Sequence, residues 1–430
     1  MDTKAQATQG EVLRPDPEIP LVPVNEGRKV PINVRQSGYT DAEILTSTRV
    51  RKSPFWHKSH EAGCWAYSVY NRMYHPRAYV SLKDGGLLTE YEYLTKHVTI
   101  WNVAVERQIR VKGPDAADFV NLLITRDVHE KVPVNQCRYV ILCNQHGGII
   151  NDPVLLRVAE DEFWFSISDS DVLLWAQGVN AMGSYNVEID EIDVSPVQIQ
   201  GPKSKDLLQK LFGPSVLDIP YYHCAQRTLS GMEVTLSRTG FSAEVGFEIY
   251  LHDATYYADQ FWDTVVEAGE EFGIKVIAPS HVRRLEAGIL SWGQDMDIEN
   301  NPYEVGLGWQ VDPSKDAFIG KEALAKIKEE GVSKKLVGLR MGGKPLVWYN
   351  EDFFLVSDPS AEQDVGYISS CFYSPSLDCN IALAMVPAQY ADEGTKLRAQ
   401  LPRETVDAEV VKTPFVDPKK RKPAQKLRVT

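Results

Sequence analysis

The sequence has no long apolar run and no sign of a secretory leader. Within its 430 residues, no stretch of about 18 apolar residues occurs, so no membrane-spanning helix is predicted. The N-terminus, MDTKAQATQGEVLRPDPEIPLVP, lacks the apolar core of a signal peptide. The six cysteines form no CxxC pair, so neither a disulfide framework nor a zinc site is expected. Reduced thiols favour a cytoplasmic protein.

The motifs of several enzyme classes are missing as well. The nine histidines include no HExxH or HxxxH pattern, so no metal ligands are predicted. No Walker loop and no GxGxxG motif after a strand occurs, which disfavours a bound dinucleotide. The absence of a GxSxG elbow gives no indication of covalent catalysis by a serine. The net charge of −13 argues against general binding of nucleic acid.

Strands and helices mix along most of the chain. RQIRVKG, YVILCNQHGGIINDPVLLRV and FWFSIS are typical of strands, and SDSDVLLWAQGV is typical of a helix. A second set repeats this plan, with MEVTLSRTG and VGFEIYLH as strands and ATYYADQFWDTVVEAGEEFG as an amphipathic helix. After Phe318 the chain restarts with the helix GKEALAKIKEEG and several closely spaced strands, which indicate a small antiparallel barrel.

These patterns divide the chain into four parts. Residues 1–45 are rich in proline and polar residues, and we expect an arm on the surface. Residues 46–312 hold two αβ subdomains, and residues 313–413 hold the barrel. The remaining residues, 414–430, form a basic tail that we expect to be solvated.

The residues best suited to chemistry are carboxylates in apolar or glycine-rich surroundings. They are Asp152 in GGIINDPVLLRV, Glu248 in GFEIY and Glu286 in RRLEAG. A buried lone charge is costly, so such a group is usually paired or functional. For Glu286 an ion pair with Arg283 is an equal alternative, and for Asp152 the alternative is a turn cap.

Several segments, in this order, resemble the glycine cleavage T-protein family, the aminomethyltransferases that bind tetrahydrofolate. The segments are GPDAADFVNLLITRDV, GGIINDPV, QIQGPKS, GFEIY, RLEAGILSWGQDMDIENNPYEVGLGWQVD, FIGKEAL and YSPSLDCNIALAMVP. The resemblance runs from about residue 54 to residue 413. It implies an α+β fold, a three-domain clover-like arrangement with a central folate channel and a C-terminal antiparallel β-barrel.

The chain departs from the aminomethyltransferases in three segments. NVAVERQ (102–108), FSAEVGFE (241–248) and YSVYNRMYHPRAY (67–79) replace the usual sequences. They resemble instead the branch with dimethylsulfoniopropionate demethylase and the tetrahydrofolate-dependent O-demethylases of methoxylated aromatic acids, such as dicamba demethylase. We therefore expect a tetrahydrofolate-dependent demethylase that methylates N5 of the folate.

The resemblance also implies roles for particular residues. Asp152 is the expected catalytic carboxylate beside N5, and Glu248 is expected to accept two N–H bonds from the pterin. The other expected folate contacts are Tyr139, Phe241, Trp309 and Arg284. The candidates for the methyl donor, from aromatic-rich segments and available arginines, are Tyr70, Tyr74, His75, Tyr222, His223 and Arg107.

The donor is expected to be small and to carry a carboxylate. We favour an aryl methyl ether, such as a methoxybenzoate or dicamba, narrowly over dimethylsulfoniopropionate. The alternatives are an aminomethyltransferase of glycine cleavage and a folate-binding protein without catalysis. No nucleic-acid or membrane partner is predicted, and the expected location is the cytoplasm.

Overall fold

The computed structural model describes most of the chain. The described residues are 47–181, 183, 185–347, 353–361, 363–401 and 404–428. The arm predicted at 1–45 lies outside them. Among the residues that the structure describes, no helix combines the length and the apolarity that crossing a bilayer requires.

Helices and strands alternate in the first two thirds of the chain, and strands dominate the last third. The helices are α1 (Trp56–Glu61), α2 (Gly86–Lys96), α3 (Ala116–Leu123), α4 (Val172–Ala181), α5 (Ser204–Phe212), α6 (Ala254–Gly269), α7 (His281–Glu286) and α8 (Lys321–Glu330). The strands up to the barrel are β1 (Ala66–Tyr70), β2 (Met73–Ala78), β3 (Thr99–Asn102), β4 (Gln108–Lys112), β5 (Gln136–Tyr139), β6 (Leu142–Cys143), β7 (Ile149–Asn151), β8 (Val154–Ala159), β9 (Glu162–Ser166), β10 (Glu188–Glu191), β11 (Val194–Gln200), β12 (Cys224–Leu229), β13 (Met232–Ser237), β14 (Gly246–His252) and β15 (Lys275–Val276). The barrel strands are β16 (Lys334–Met341), β17 (Phe354–Asp358), β18 (Gln363–Ser374), β19 (Cys379–Pro387), β20 (Lys396–Leu401) and β21 (Glu404–Val411).

The first subdomain is built on a five-stranded antiparallel sheet in the order β10-β4-β9-β8-β5. Side chains alternate between the two faces of a strand. In β9, Phe163 and Phe165 therefore pack with Phe119 of α3 in one core. Trp164 points to the other face, where it packs with Tyr250 of the second subdomain.

The second subdomain is built on a six-stranded sheet in the order β12-β13-β14-β11-β3-β15, in which only β15 and β3 run parallel. Val197 and Ile199 of β11 pack with Phe261 of α6 in an apolar core. The alternate residue Gln198 lies opposite Glu248 in the register of β11 and β14. This sheet therefore turns a buried polar face toward the first subdomain.

The last third forms a closed barrel in the order β16-β19-β18-β17-β20-β21. The predicted helix GKEALAKIKEEG is α8, and the predicted strand KKLVGLRM is β16. The predicted α+β class with a C-terminal antiparallel barrel is confirmed. The domain boundaries at 46, 313 and 414 stay predictions.

The basic tail is anchored on the protein, which corrects the expectation of a solvated segment. Leu427 is 7% exposed and packs in the core of the second subdomain. The buried guanidinium of Arg238 donates to the carbonyl of Pro423 at 2.8 Å, and Lys422 pairs with Glu244 at 2.7 Å. The tail is held because it supplies a hydrogen-bond acceptor to the buried Arg238 and a positive charge to the buried Glu244.

Candidate active site between the two sheets

Asp152 lies in the link between β7 and β8, so its side chain is not part of a strand ladder. The turn that leads to it needs glycine, because a Cβ on Gly148 would stand 2.1 Å from the carbonyl oxygen of Ile298. Asp152 itself is 7% exposed. The chain therefore delivers a buried carboxylate from a rigid turn.

Two hydroxyls hold the Asp152 carboxylate. Ser168 Oγ donates to Oδ1 at 2.5 Å, and Tyr139 Oη donates to Oδ2 at 2.8 Å. Burial raises the pKa of Asp152 to about 7, although both hydroxyl bonds act in the opposite direction. The group can therefore exchange a proton near neutral pH.

The neighbouring Asn151 turns away from Asp152. Its Nδ2 donates to the carbonyl of Ser168 at 3.0 Å and to Ser170 Oγ at 2.8 Å, and its Oδ1 accepts from the Ser168 amide at 3.0 Å. Asn151 thus fixes the segment that carries Ser168, and Ser168 in turn orients Asp152.

Glu248 stands on β14, on the inner face of the six-stranded sheet, and is buried. Its Oε1 accepts from Gln198 Nε2 at 2.7 Å. Its Oε2 accepts from Tyr250 at 3.0 Å, from Ser237 at 3.3 Å and from the hydroxyl of Thr239. Burial raises the pKa of Glu248 and the four donors lower it. Phe241 is joined to the same cluster, because its amide donates to Gln198 Oε1 at 3.2 Å.

The aromatic-rich segment after residue 66 forms the hairpin of β1 and β2. Its turn residues Asn71 and Arg72 have φ of +50° and +58°, as a two-residue type I′ turn requires. Asn71 Nδ2 donates to the carbonyls of Val105 and Ser168, each at 3.0 Å. This docking places the half-buried Tyr70 beside Ser168. Burial, and next the charges of Glu106 and Asp152, raise the pKa of Tyr70 well above its usual range.

The structure places three of the predicted donor residues outside this cluster. Tyr74 accepts from the amide of Ser47 at 2.6 Å. The His75 ring packs edge-on against Tyr70 with 5.6 Å between ring centres, so it supports Tyr70. Arg107 donates through Nε to Glu191 Oε2 at 2.9 Å, so its charge is already paired.

Arg284 also belongs to the framework of the protein. It is fully buried, and its guanidinium pairs with Asp295 and donates to Ser370 Oγ of the barrel at 2.8 Å. Glu286 accepts from Arg283 at 3.1 Å and from Tyr91 at 2.9 Å. For Glu286 the structure agrees with the ion pair that the sequence left as an alternative.

Arg126 and Trp309 are linked to Asp152 through Tyr139, and Tyr222 lies within electrostatic reach of Glu248. The indole of Trp309 is 62% exposed, and the Arg126 guanidinium lies 5.4 Å from its ring centre. Arg126 also donates to the carbonyl of Tyr139 at 3.4 Å. Burial raises the pKa of Tyr222, and the charges of Tyr221 and Glu248 add to this. His223 approaches Gln136, with 3.3 Å between the ring Nε2 and the amide Nε2.

Several residues of the cluster were not predicted from the sequence. These are Glu106, Ser166, Ser168, Gln198 and Tyr250. A signal existed for two of them. Gln198 in VSPVQIQ and Tyr250 in GFEIYLH are polar residues within strands that are otherwise buried, on the same face as Glu248.

The chain matches known families and relatives over most of its length. The family description "GCVT N-terminal domain" matches residues 55–315, and "Glycine cleavage T-protein C-terminal barrel domain" matches residues 334–417. A dimethylsulfoniopropionate demethylase of Ruegeria pomeroyi is 35% identical over 361 residues, which cover 84% of this chain and 96% of the relative. An aminomethyltransferase of Thermotoga neapolitana is 35% identical over 334 residues, 76% of this chain and 89% of the relative.

A solved structure has a similar fold. It is the aminomethyltransferase T of the glycine cleavage system from Bartonella henselae, with a TM-score of 0.74 at 21% identity. The match covers 86% of this chain and 98% of that one. At this identity the similarity concerns the fold alone.

Proposed function

The chain belongs to the glycine cleavage T-protein family, and on that premise we propose that it is a tetrahydrofolate-dependent demethylase. It is an enzyme that moves a methyl group from a small carboxylate-bearing donor to N5 of tetrahydrofolate, giving 5-methyltetrahydrofolate. The observation that carries the proposal is the Asp152 carboxylate, which is buried and held by two hydroxyls, while Glu248 is buried on the six-stranded sheet. The cleft, as the name is used below, is the region between these two carboxylates in which we propose that folate and donor bind. The 35% identity to a relative named as a demethylase supports it.

The residues of the cleft fit a folate. Glu248 Oε1 accepts one hydrogen bond from within the protein, that of Gln198, and a carboxylate oxygen can accept two. A pterin N–H can therefore bind there, close to Gln198 and to the backbone amide of Phe241. Arg126 and Trp309, at the outer side of Tyr139, suit the carboxylates and the aromatic ring of the folate tail. Tetrahydrofolate, when bound, supplies the nucleophilic nitrogen that accepts the methyl group.

Asp152 acts on the proton of that nitrogen. In its ionised form it accepts a hydrogen bond from the N–H and stabilises the positive charge that develops as the methyl arrives. Ser168 and Tyr139 keep the carboxylate in one orientation, so little reorganisation is needed during the reaction. A large share of the rate enhancement comes from holding donor and acceptor in line.

Two donors are candidates. A sulfonium is supported by the Ruegeria pomeroyi relative, and its leaving thioether is neutral and needs no acid. An aryl methyl ether, which the family resemblance narrowly favoured, is supported by the hydroxyl of Tyr70 close to Asp152. A leaving phenolate needs such a hydrogen-bond donor.

The test is incubation of the purified protein with tetrahydrofolate and a panel of sulfonium acids and methoxybenzoates, with mass detection of methylfolate. We expect methylfolate from at least one donor class. Glu248→Gln should weaken folate binding about 10- to 100-fold, because one charge-assisted contact of about 1.5–3 kcal/mol is lost. The control is Glu233→Gln, an exposed residue of the neighbouring strand β13, which should bind folate as the unchanged protein does. A protein that yields no methylfolate from any donor contradicts the proposal.

A further inference from the structure

A second carboxylate, that of Glu106, lies beside Asp152. Ser166 Oγ donates to Glu106 Oε2 at 3.1 Å, and Ser168 Oγ donates to Asp152 Oδ1 at 2.5 Å. These serines are two residues apart at the end of β9, and alternate residues of an extended chain share one face. Glu106 comes from the link between β3 and β4, where the two sheets meet. The two acids are thus held side by side by one segment.

No cation neutralises this group of acids within the described part of the chain. There, neither Glu106 nor Asp152 nor Glu248 has a lysine or arginine within ion-pair distance. Arg107, the next residue after Glu106, pairs instead with Glu191 at 2.6 Å. Burial, and next the charge of Glu248, raise the pKa of Glu106 well above its usual range. The three carboxylates would therefore stabilise a positively charged group that binds in the cleft.

An unpartnered acceptor lies in the same place. The side chain of Gln108 is 1% exposed, and its Nε2 donates to Ser166 Oγ at 2.9 Å and to the carbonyl of Glu106. Its Oε1 has no hydrogen-bond partner among the described residues. A buried amide oxygen without a partner is costly, and it adds a partial negative charge beside the two carboxylates.

We propose that Glu106 selects a positively charged methyl donor, a sulfonium or a quaternary ammonium, for the cleft. The inference rests on the proposed function and narrows its substrate class. The positive charge of an onium group spreads over its methyl groups, so a carboxylate, an amide oxygen and the ring of Tyr70 all attract it. An aryl ether is a poor fit here, because its leaving phenolate would bring negative charge next to three acids.

The transfer balances in charge and in atoms. The bond from the methyl carbon to the onium sulfur breaks, and its electron pair stays on the sulfur, which leaves as a neutral thioether. The lone pair of the acceptor nitrogen forms the new bond to the methyl carbon. The proton of that nitrogen passes to Asp152 and then to solvent, so the positive charge of the donor ends as a released proton.

The experiment compares one cation with its neutral isostere in the holoprotein saturated with tetrahydrofolate. Dimethylsulfoniopropionate is the cationic probe, and 4-methylpentanoate has the same shape without the charge. Glu106→Gln removes the charge at constant size, and Glu130→Gln, an exposed acid, is the matched control. Donor KM, the dissociation constant of the isostere, the dissociation constant of folate and the melting temperature are measured for each protein.

In Glu106→Gln we expect the KM of the sulfonium to rise about 10- to 100-fold, as for loss of a charge-assisted contact. Binding of 4-methylpentanoate and of folate should be unchanged, and Glu130→Gln should match the unchanged protein in every measurement. An equal loss for the cation and the isostere, or no loss for the cation, overturns the inference. Methyl transfer from methoxybenzoates but from no onium compound also overturns it and leaves the proposed function standing. Transfer from neither class overturns both.

Discussion

At the scale of single residues, the chemistry depends on where a proton resides on Asp152. Its carboxylate is buried, and its two bonded hydroxyls offset only part of the cost of desolvating a charge. Asn151 contributes indirectly, because it fixes the Ser168 segment. One aspartate thus becomes a proton acceptor that operates near neutral pH.

The first prediction concerns the pH dependence of turnover. Because burial raises the pKa of Asp152 to about 7, the ionised form accumulates above that pH, and kcat should rise through it. Asp152→Asn should lower kcat about 100-fold or more and remove this limb of the profile. The measurement is kcat between pH 5.5 and 9 with saturating donor and folate. An unchanged limb in the variant would show that another group titrates.

The second prediction concerns stability. The unfolded chain releases the Asp152 proton near pH 4, whereas the folded protein keeps it to about pH 7. The contribution of Asp152 to stability therefore falls as pH rises between these values, by roughly 4 kcal/mol in total. The asparagine of Asp152→Asn does not titrate, so the variant should not show this loss of stability. The melting temperature of the variant minus that of the unchanged protein should therefore be larger at pH 8 than at pH 5. A constant difference at both pH values contradicts this.

At the scale of elements, the β1–β2 hairpin adds Tyr70 to the cleft. Its strands are short, and the contacts of its turn decide where it docks. Asn71 is buried, and its amide donates to carbonyls of two other segments. The side chain of Arg72, the other turn residue, is exposed, and among the described residues it forms one long ion pair, with Asp171 at 3.5 Å. One half of the turn therefore anchors the hairpin, and the other half shapes it.

This asymmetry gives the third prediction. Asn71→Gly keeps the positive φ but leaves two carbonyls without their donor, which should lower the free energy of unfolding by about 1–3 kcal/mol. Because the hairpin is then no longer anchored, Tyr70 should be displaced and kcat/KM should fall. Arg72→Gly is the matched control at the next position. It removes positive-φ strain and should be neutral or slightly stabilising. Thermal unfolding and donor kinetics of the two variants test this, and equal effects would contradict it.

At the scale of the whole molecule, buried ion pairs join the barrel to the rest of the chain. Asp295 accepts from Arg284 and from the hydroxyls of Ser369 and Ser370 on β18, at 2.7 and 2.6 Å. Arg283 bridges Glu286 and Glu244, and Lys422 of the tail reaches Glu244. Barrel, subdomains and tail thus share one charged junction.

The fourth prediction tests that junction. Asp295→Ala leaves the buried Arg284 without its acid, and breaking a buried pair in this way costs about 3–5 kcal/mol. The exposed pair of Arg398 with Asp407 on the barrel surface is the control, and Asp407→Ala should cost less than about 1 kcal/mol. Denaturant unfolding measures both. Similar losses in the two variants would mean that the junction does not stabilise the fold.

The fifth prediction concerns the tail. Leu427→Ala removes a side chain from the core of the second subdomain and should cost about 2 kcal/mol or more of stability. The exposed neighbour Lys426 offers a control, since Lys426→Ala should have almost no effect. If Leu427→Ala has the same melting temperature as the unchanged protein, the tail is not anchored in solution.

Much of the fold could be predicted from the sequence. The alternation of apolar and polar residues indicated strands such as β14 and β16, the period of 3.6 indicated α6 and α8, and the closely spaced final strands indicated a barrel. These signals are local, because they arise from which face of an element is buried. The tail was predicted wrongly, because scattered apolar residues such as Leu427 in a basic segment do not reveal the core that receives them.

In the site, too, some residues could be predicted from the sequence and others only from the folded structure. The sequence by itself determined which carboxylates were of interest, since Asp152 and Glu248 stand out against apolar strands and match a family pattern. The tertiary structure alone decided that Glu106 joins them, that Arg284 and Arg107 are already paired, and that Tyr74 lies apart. Such partners lie 50 to 86 residues apart in the chain, and a sequence pattern carries no distance between segments. The charge balance of the cleft is therefore a property of the folded chain.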